Sequence, residues 1–205
     1  MLNTLEYELY IKIVVLGDAA VGKTSIVNRF LLKTYPTKYL ATLGHTIFRK
    51  DYILSGKKIQ LIVWDVGGLK AFNELNKVVY KDVDAAILVF DLSRAEETLQ
   101  NIKREYMDKL EKNSEGYLSI IAGNKLDLVS ISDELRKNIE DNLSKEDQLL
   151  LISAKTGENV KESFEFLVYK VLMKKGVDKM ANDFISLTGK NEIELNKIVL
   201  NLDTI

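Results

Sequence analysis

Short, largely apolar runs alternate along this chain with longer stretches whose apolar residues recur every three or four positions. Leu9–Leu16, Ile59–Trp64, Ala85–Asp91, Leu118–Gly123 and Leu149–Ser153 are of the first kind. Apolarity on both faces predicts buried strands. His45–Leu54 alternates more strictly and ends at Ser55-Gly56, which predicts an edge strand in a hairpin with Lys58–Trp64. Lys23–Leu32, Phe72–Tyr80, Ala95–Lys112, Asp133–Asn142 and Val160–Lys174 carry helical spacing. Strands alternating with helices at this interval predict an α/β fold. Its sheet would be six-stranded and mostly parallel, with one antiparallel edge strand and helices on both faces. Ligands on such sheets bind at the carboxyl ends of the strands.

Composition narrows the classes. The 205 residues suit one domain with an appendage, and 46% hydrophobic with 29% charged residues suits a full core. A net charge of −1 argues against nucleic acid as a partner. With no cysteine in the sequence, the expectation is no disulfide, no zinc-thiolate site and no prenyl or palmitoyl anchor. Leu2 stands where myristoylation needs glycine, and no apolar stretch is long enough to cross a bilayer. The expectation is a cytoplasmic protein that meets membranes only through partners.

The chemistry begins at residues 17–24, Gly-Asp-Ala-Ala-Val-Gly-Lys-Thr, directly after the first strand. This is the G-x-x-x-x-G-K-[ST] phosphate loop in the strand-then-helix setting it requires. Gly17 and Gly22 let the backbone curl so that successive N–H groups, from Asp18, Ala19, Ala20 and Val21 through Gly22 to Ser25, face one anion. The helix that follows adds its positive dipole end. Lys23 reaches β- and γ-phosphates, and the Thr24 hydroxyl suits Mg²⁺.

Four further segments fall where this architecture puts loops at the strands' carboxyl ends. They are Asn124-Lys125-Leu126-Asp127, Ser153-Ala154-Lys155, Thr42 within the loop Thr34–Gly44, and Trp64-Asp65-Val66-Gly67-Gly68. With the phosphate loop they resemble the small monomeric GTPases of the Ras, Rab and Arf type, over about residues 9–174. The resemblance implies a G domain over residues 1–174, with 175–205 as a C-terminal helical extension.

It implies guanine recognition by Asn124, Lys125 and Asp127 and by Ser153, Ala154 and Lys155, with Tyr35 packing on the base edge. A carboxylate at Asp127 accepts from guanine N1–H and the 2-amino group. Adenine offers neither donor and leaves it unpaired, a discrimination of roughly 10⁴-fold or more. The Ala154 N–H would meet guanine O6. Thr42 would bind Mg²⁺ and sense the γ-phosphate, with Thr37 and Thr46 as weaker choices and Tyr39 capping the phosphates. Asp65 would hold Mg²⁺ through water, and the Gly68 N–H would bind the γ-phosphate. Effectors, an exchange factor and a GTPase-activating protein are the implied partners.

One departure bears on activity. The family usually carries glutamine after the second glycine to orient the attacking water, but here Leu69 stands there. Leucine has no donor or acceptor, and Ala19 adds a methyl where many members have glycine. The expected function is a GTP/GDP switch, with Mg²⁺, that hydrolyses GTP slowly. The alternatives are a GTP-bound scaffold, natural or the result of a glutamine-to-leucine exchange, and an ATP-using phosphate-loop enzyme. No arginine stands out as a finger in cis. The lone His45 is expected exposed or facing effectors, and Trp64 is expected in the core. From Gly176 on, Met180, Phe184 and Leu187 share one helical face, and Leu195, Ile198, Val199 and Leu202 share another. Three lysines against five acids there disfavour an anionic membrane, so packing on the core or a partner is expected.

Overall fold

The computed structural model describes residues 7–35, 42, 44–68 and 73–200, without the side chains of 73–76. Its frame is a six-stranded sheet in the order β2-β3-β1-β4-β5-β6. The strands are β1 (Tyr7–Leu16), β2 (His45–Leu54), β3 (Lys57–Val66), β4 (Ala85–Asp91), β5 (Leu118–Asn124) and β6 (Leu149–Leu151). All neighbours run parallel except β2, which pairs antiparallel with β3 from His45 opposite Val66 to Leu54 opposite Lys57.

Alternation along β1 assigns its side chains to two cores. Ile11, Ile13 and Val15 pack with Ile26 and Phe30 of α1 (Lys23–Leu32) and with Phe164 and Leu167 of α6 (Val160–Lys174). Val14 and Leu16 face the other way, onto Val79 of α2 (Asn73–Tyr80), Leu99 of α3 (Ala95–Asn101) and Ile139 of α5 (Asp133–Asn142). This is the period-two rule of a strand buried on both faces.

The expected elements are present, with two main differences. The long helix over Ala95–Lys112 is interrupted: α3 passes into a π-helical stretch, Ile102–Met107, before α4 (Asp108–Asn113). A widened turn shifts the register of every side chain after it, which a 3.6-residue pattern cannot report. β6 ends at Leu151 rather than Ser153, although the Ile152 N–H still bonds the Gly123 carbonyl at 2.8 Å. Beyond Gly176 the chain forms α7 (Asp178–Thr188) and α8 (Glu192–Asn196).

Met180, Ala181, Phe184 and Leu195 are buried against the α6 side of the sheet, and Ile198 and Val199 pack partly against it. Phe184 meets Tyr52 edge-on, with centroids 5.3 Å apart. The Asp183 carboxylate accepts from the Ser55 N–H and hydroxyl at the hairpin turn, and Lys190 bridges Glu162 and Glu165 of α6. Leu187 departs from its expected face. It is exposed, two residues before Gly189, where the helix ends. Leu202 lies outside the described residues.

Candidate nucleotide-binding site

The phosphate loop is shaped by what surrounds it. Gly22 has φ +102°, and a Cβ there would lie 2.3 Å from the Asn124 amide nitrogen, so only glycine fits. No side chain caps α1 and no acid sits in its first turn. Its leading N–H groups therefore stay available to an anion. Lys23 is buried and donates to the Gly17 and Asp18 carbonyls at 2.8 and 2.6 Å. Burial lowers its pKa to about 8, against the pull of Asp65 and Asp18.

Above the loop three oxygen ligands meet. Thr24 gives its hydroxyl proton to Asp65 Oδ2 at 2.6 Å. Thr24 and Thr42 hydroxyls are 2.7 Å apart, and since Thr24 has spent its proton, Thr42 donates. Asp65 Oδ1 is buried with no partner among the described residues, and burial raises this carboxyl's pKa against the Thr24 hydrogen bond and Lys23. Two hydroxyls and a carboxylate, one of whose oxygens is buried and unpaired among the described residues, form the donor set of a hard cation. The 2.7 Å between the two hydroxyls falls just inside the roughly 3 Å between adjacent ligands of an octahedral Mg²⁺. The residues fit the ion.

Gly68 and Gly67 close this corner. A Cβ on Gly68 would lie 2.3 Å from the Ala19 N, and one on Gly67 would lie 2.3 Å from the Thr42 carbonyl oxygen. The Gly67 N–H bonds the Gly44 carbonyl at 2.8 Å. Thus the segment after β3 touches both the phosphate loop and the stretch around Thr42. Leu69, Thr37 and Tyr39 lie outside the described residues.

On the other side of the loop a cavity of about 260 Å³ is lined by Gly22, Ser25, Tyr35, Asn124, Lys125, Asp127, Leu128, Ala154 and Lys155. Asp127 Oδ1 accepts from the Ser153 hydroxyl at 2.6 Å, and Lys155 stands 3.4 Å from Oδ2. The Ser153 hydrogen bond leads in holding this carboxyl below its usual range. The Ala154 N–H, expected to meet guanine O6, donates to Asn124 Oδ1 at 3.0 Å. The Lys125 Nζ is bound to the buried Asp91 at 2.6 Å.

Several contributors were not singled out by sequence reasoning. Asp91 also accepts from Arg94 Nε at 3.2 Å and from Ser93. Burial works against its charge, but Lys125, Ser93 and Arg94 outweigh this and lower its pKa. Arg94 in turn donates to the Ala19 carbonyl at 3.4 Å, placing a guanidinium at the rim of the phosphate loop. Asp18 is held by Asn101 at 2.6 Å and Tyr106 at 2.9 Å, from either side of the α3–π junction. Arg29 bonds the Ala154 and Lys155 carbonyls. His45 and Trp64 are both half-buried and stacked, centroids 4.8 Å apart, with Lys12 over the indole at 4.6 Å. Trp64 is therefore not fully in the core, nor His45 fully exposed.

With this geometry in view, the comparisons with known proteins give one answer. The Ras family model matches residues 12–173. The chain is 31% identical over 199 residues to the Ypt/Rab-type GTPase YPT7 of Saccharomyces cerevisiae, covering 88% of this chain and 94% of that one. It is 30% identical over 179 residues to the Ras-related protein Rab-13 of Bos taurus, covering 86% and 87%. It is 28% identical over 183 residues to the Ras-related protein Rab-30 of Homo sapiens, covering 88% and 89%. The matched span takes in the phosphate loop, the Thr24–Thr42–Asp65 cluster and the Asp127 pocket, and the chain belongs to the Ras family of small GTPases, with Rab-type relatives.

Proposed function

We propose that this chain is a GTP/GDP switch that takes Mg²⁺ at Thr24 and Thr42, and at Asp65 through water, reads guanine with Asp127, and hydrolyses GTP slowly because Leu69 replaces the usual glutamine. The observation that carries the reading is Asp65. It is a buried carboxylate with one oxygen bound to Thr24 and the other unpaired among the described residues, beside the phosphate loop. Asp65 and the two threonines would hold the ion, which when bound neutralises charge on the β- and γ-phosphates.

The chain's own groups do the rest. Backbone N–H groups from Asp18 to Ser25 bind the phosphates and Lys23 Nζ offsets charge developing on the leaving oxygens. Tyr35, Asn124, Lys125 and the Ser153–Lys155 segment enclose the purine. Gly68, against Ala19, is where a γ-phosphate would be felt, and Gly67 relays its presence to the Thr42 segment. Water attack at the γ-phosphate lacks an orienting amide at position 69, and Ala19 crowds an incoming arginine from a partner. Residues 1–174 are assigned to the G domain and 175–205 to an extension whose described residues pack on it. Effectors, an exchange factor and a GTPase-activating protein are the partner classes this reading implies, in the cytoplasm.

A GTP-bound scaffold is the second reading, favoured by Leu69 itself. A single-turnover GTPase assay on the chain and on Leu69→Gln tests the slow-hydrolysis claim. The glutamine variant should be faster by tenfold or more; an unchanged rate refutes it. Chromatography of the nucleotide released on denaturation separates the two readings, GDP for the enzyme and GTP for the scaffold.

A further inference from the structure

We infer that Arg29, in the last turn of α1, is a positioning residue that latches the purine pocket and sets both nucleotide residence time and guanine discrimination. The inference rests on the guanine-binding reading above.

Arg29 lies six residues after Lys23 on the same helix, about 9 Å further along its axis. One helix thus carries the phosphate contacts at its start and this guanidinium at its end. Nε donates to the Ala154 carbonyl at 2.9 Å and Nη2 donates to the Lys155 carbonyl. The guanidinium carbon stands 5.9 Å from the Tyr35 ring centroid, and a Cβ on Gly157 would touch the Arg29 stem at 3.6 Å. A single side chain therefore braces two walls of the cavity, Tyr35 on one side and the loop after β6 on the other.

The consequence for base reading follows from peptide planarity. Fixing the Lys155 carbonyl fixes the orientation of the Thr156 N–H in the same plane. That N–H donates to Ser153 Oγ at 3.1 Å, and Ser153 Oγ donates to Asp127 Oδ1 at 2.6 Å. Arg29 is thus the far end of a relay whose near end is the carboxylate facing guanine. Fixing the Ala154 carbonyl likewise orients the Lys155 N–H. The planar fork suits two adjacent carbonyls, which a lysine ammonium on a flexible stem cannot match. Without Arg29 the loop would still close through Asn124, but Ser153 and Asp127 would lose their common reference.

The test is the dissociation of N-methylanthraniloyl-GDP, chased with excess GDP in Mg²⁺ buffer, for the full chain, Arg29→Ala and Arg29→Lys. Competition of GDP against IDP, whose base lacks the 2-amino group, is measured alongside. Arg29→Ala should release the probe about tenfold faster or more, as loss of charge-assisted bonds implies. Its GDP/IDP preference should fall at least threefold. Arg29→Lys should lie between, and it serves as the reporting variant if the alanine form does not fold. A variant with a wild-type release rate and an unchanged GDP/IDP ratio overturns the inference and leaves the guanine reading standing. A wild-type chain that binds no guanine probe overturns both.

Discussion

Asn124 donates its side-chain amide to the Val21 carbonyl at 2.8 Å, joining the end of β5 to the phosphate loop through a buried hydrogen bond. Its other atom, Oδ1, takes the Ala154 N–H. One side chain therefore ties the phosphate loop, the end of β5 and the loop after β6, and Gly22 lies so close that nothing larger could replace it.

Truncating that side chain strands the Val21 carbonyl and the Ala154 N–H in a buried setting. Asn124→Ala should cost about 1–3 kcal/mol of stability in the ligand-free protein, and guanine nucleotide affinity should fall with it. Urea unfolding and GDP titration measure the two, and a variant as stable as wild type would contradict the role.

Asp91 predicts a second effect. Its carboxylate holds both Lys125 and Arg94, on the base side and the phosphate side of the site. Asp91→Asn keeps the volume but loses the charge, so Lys125 is no longer anchored. GDP dissociation should accelerate by about tenfold, in line with one charge-assisted bond of about 1.5 kcal/mol. Stopped-flow release reads this directly, and an unaltered rate would show that Lys125 needs no anchor.

In the core, the Phe30 and Phe164 rings stack with centroids 4.0 Å apart and planes within 4°. This contact clamps α1 to α6 beneath the phosphate loop. Phe164→Ala should destabilise by about 3–5 kcal/mol, read by denaturant midpoint at unchanged m-value. A loss under about 1 kcal/mol would mean the pocket collapses around the gap.

The extension gives a pH prediction. Ser55 hydrogen bonds lead in lowering the pKa of Asp183. Burial alone would raise Glu162, but Lys190 outweighs it and the net direction is down from 4.5. Lowered carboxylates add stability above their unfolded values and lose it as pH falls through the folded ones. Docking of α7 and α8 should therefore weaken below about pH 4 while the sheet persists. Hydrogen-exchange protection factors, corrected for intrinsic rates, should drop in 178–196 first; simultaneous loss everywhere would contradict this.

The fold was legible because each buried strand is a nearly pure apolar run and each helix repeats at 3.6. The antiparallel hairpin of β2 and β3 followed from the Ser55-Gly56 turn, whereas the order of the parallel strands was not read. The π-helical stretch at Ile102–Met107 was not legible, since one widened turn leaves the apolar count unchanged while redirecting Tyr106 to Asp18. Arg29, Asp91 and Arg94 were missed for another reason. Arg29 and Arg94 act on residues 125 and 75 positions away, and Asp91 on Lys125 34 away; none belongs to a local motif. Leu187 was misplaced because helical phase reports a face but not what lies opposite it. The motif residues stood out because a phosphate loop and a base-reading tetrad are contiguous in sequence.

Asp127 is the group on which the account of base recognition stands, and its exchange for asparagine is the most direct test. Asparagine presents an amide N–H₂ that can donate to the 2-carbonyl of xanthine but repels the 2-amino group of guanine. Calorimetric titration with Mg²⁺ present should show the wild-type chain preferring GDP over XDP and Asp127→Asn preferring XDP. A variant that retains the wild-type preference for GDP would contradict the assignment of Asp127 to the purine.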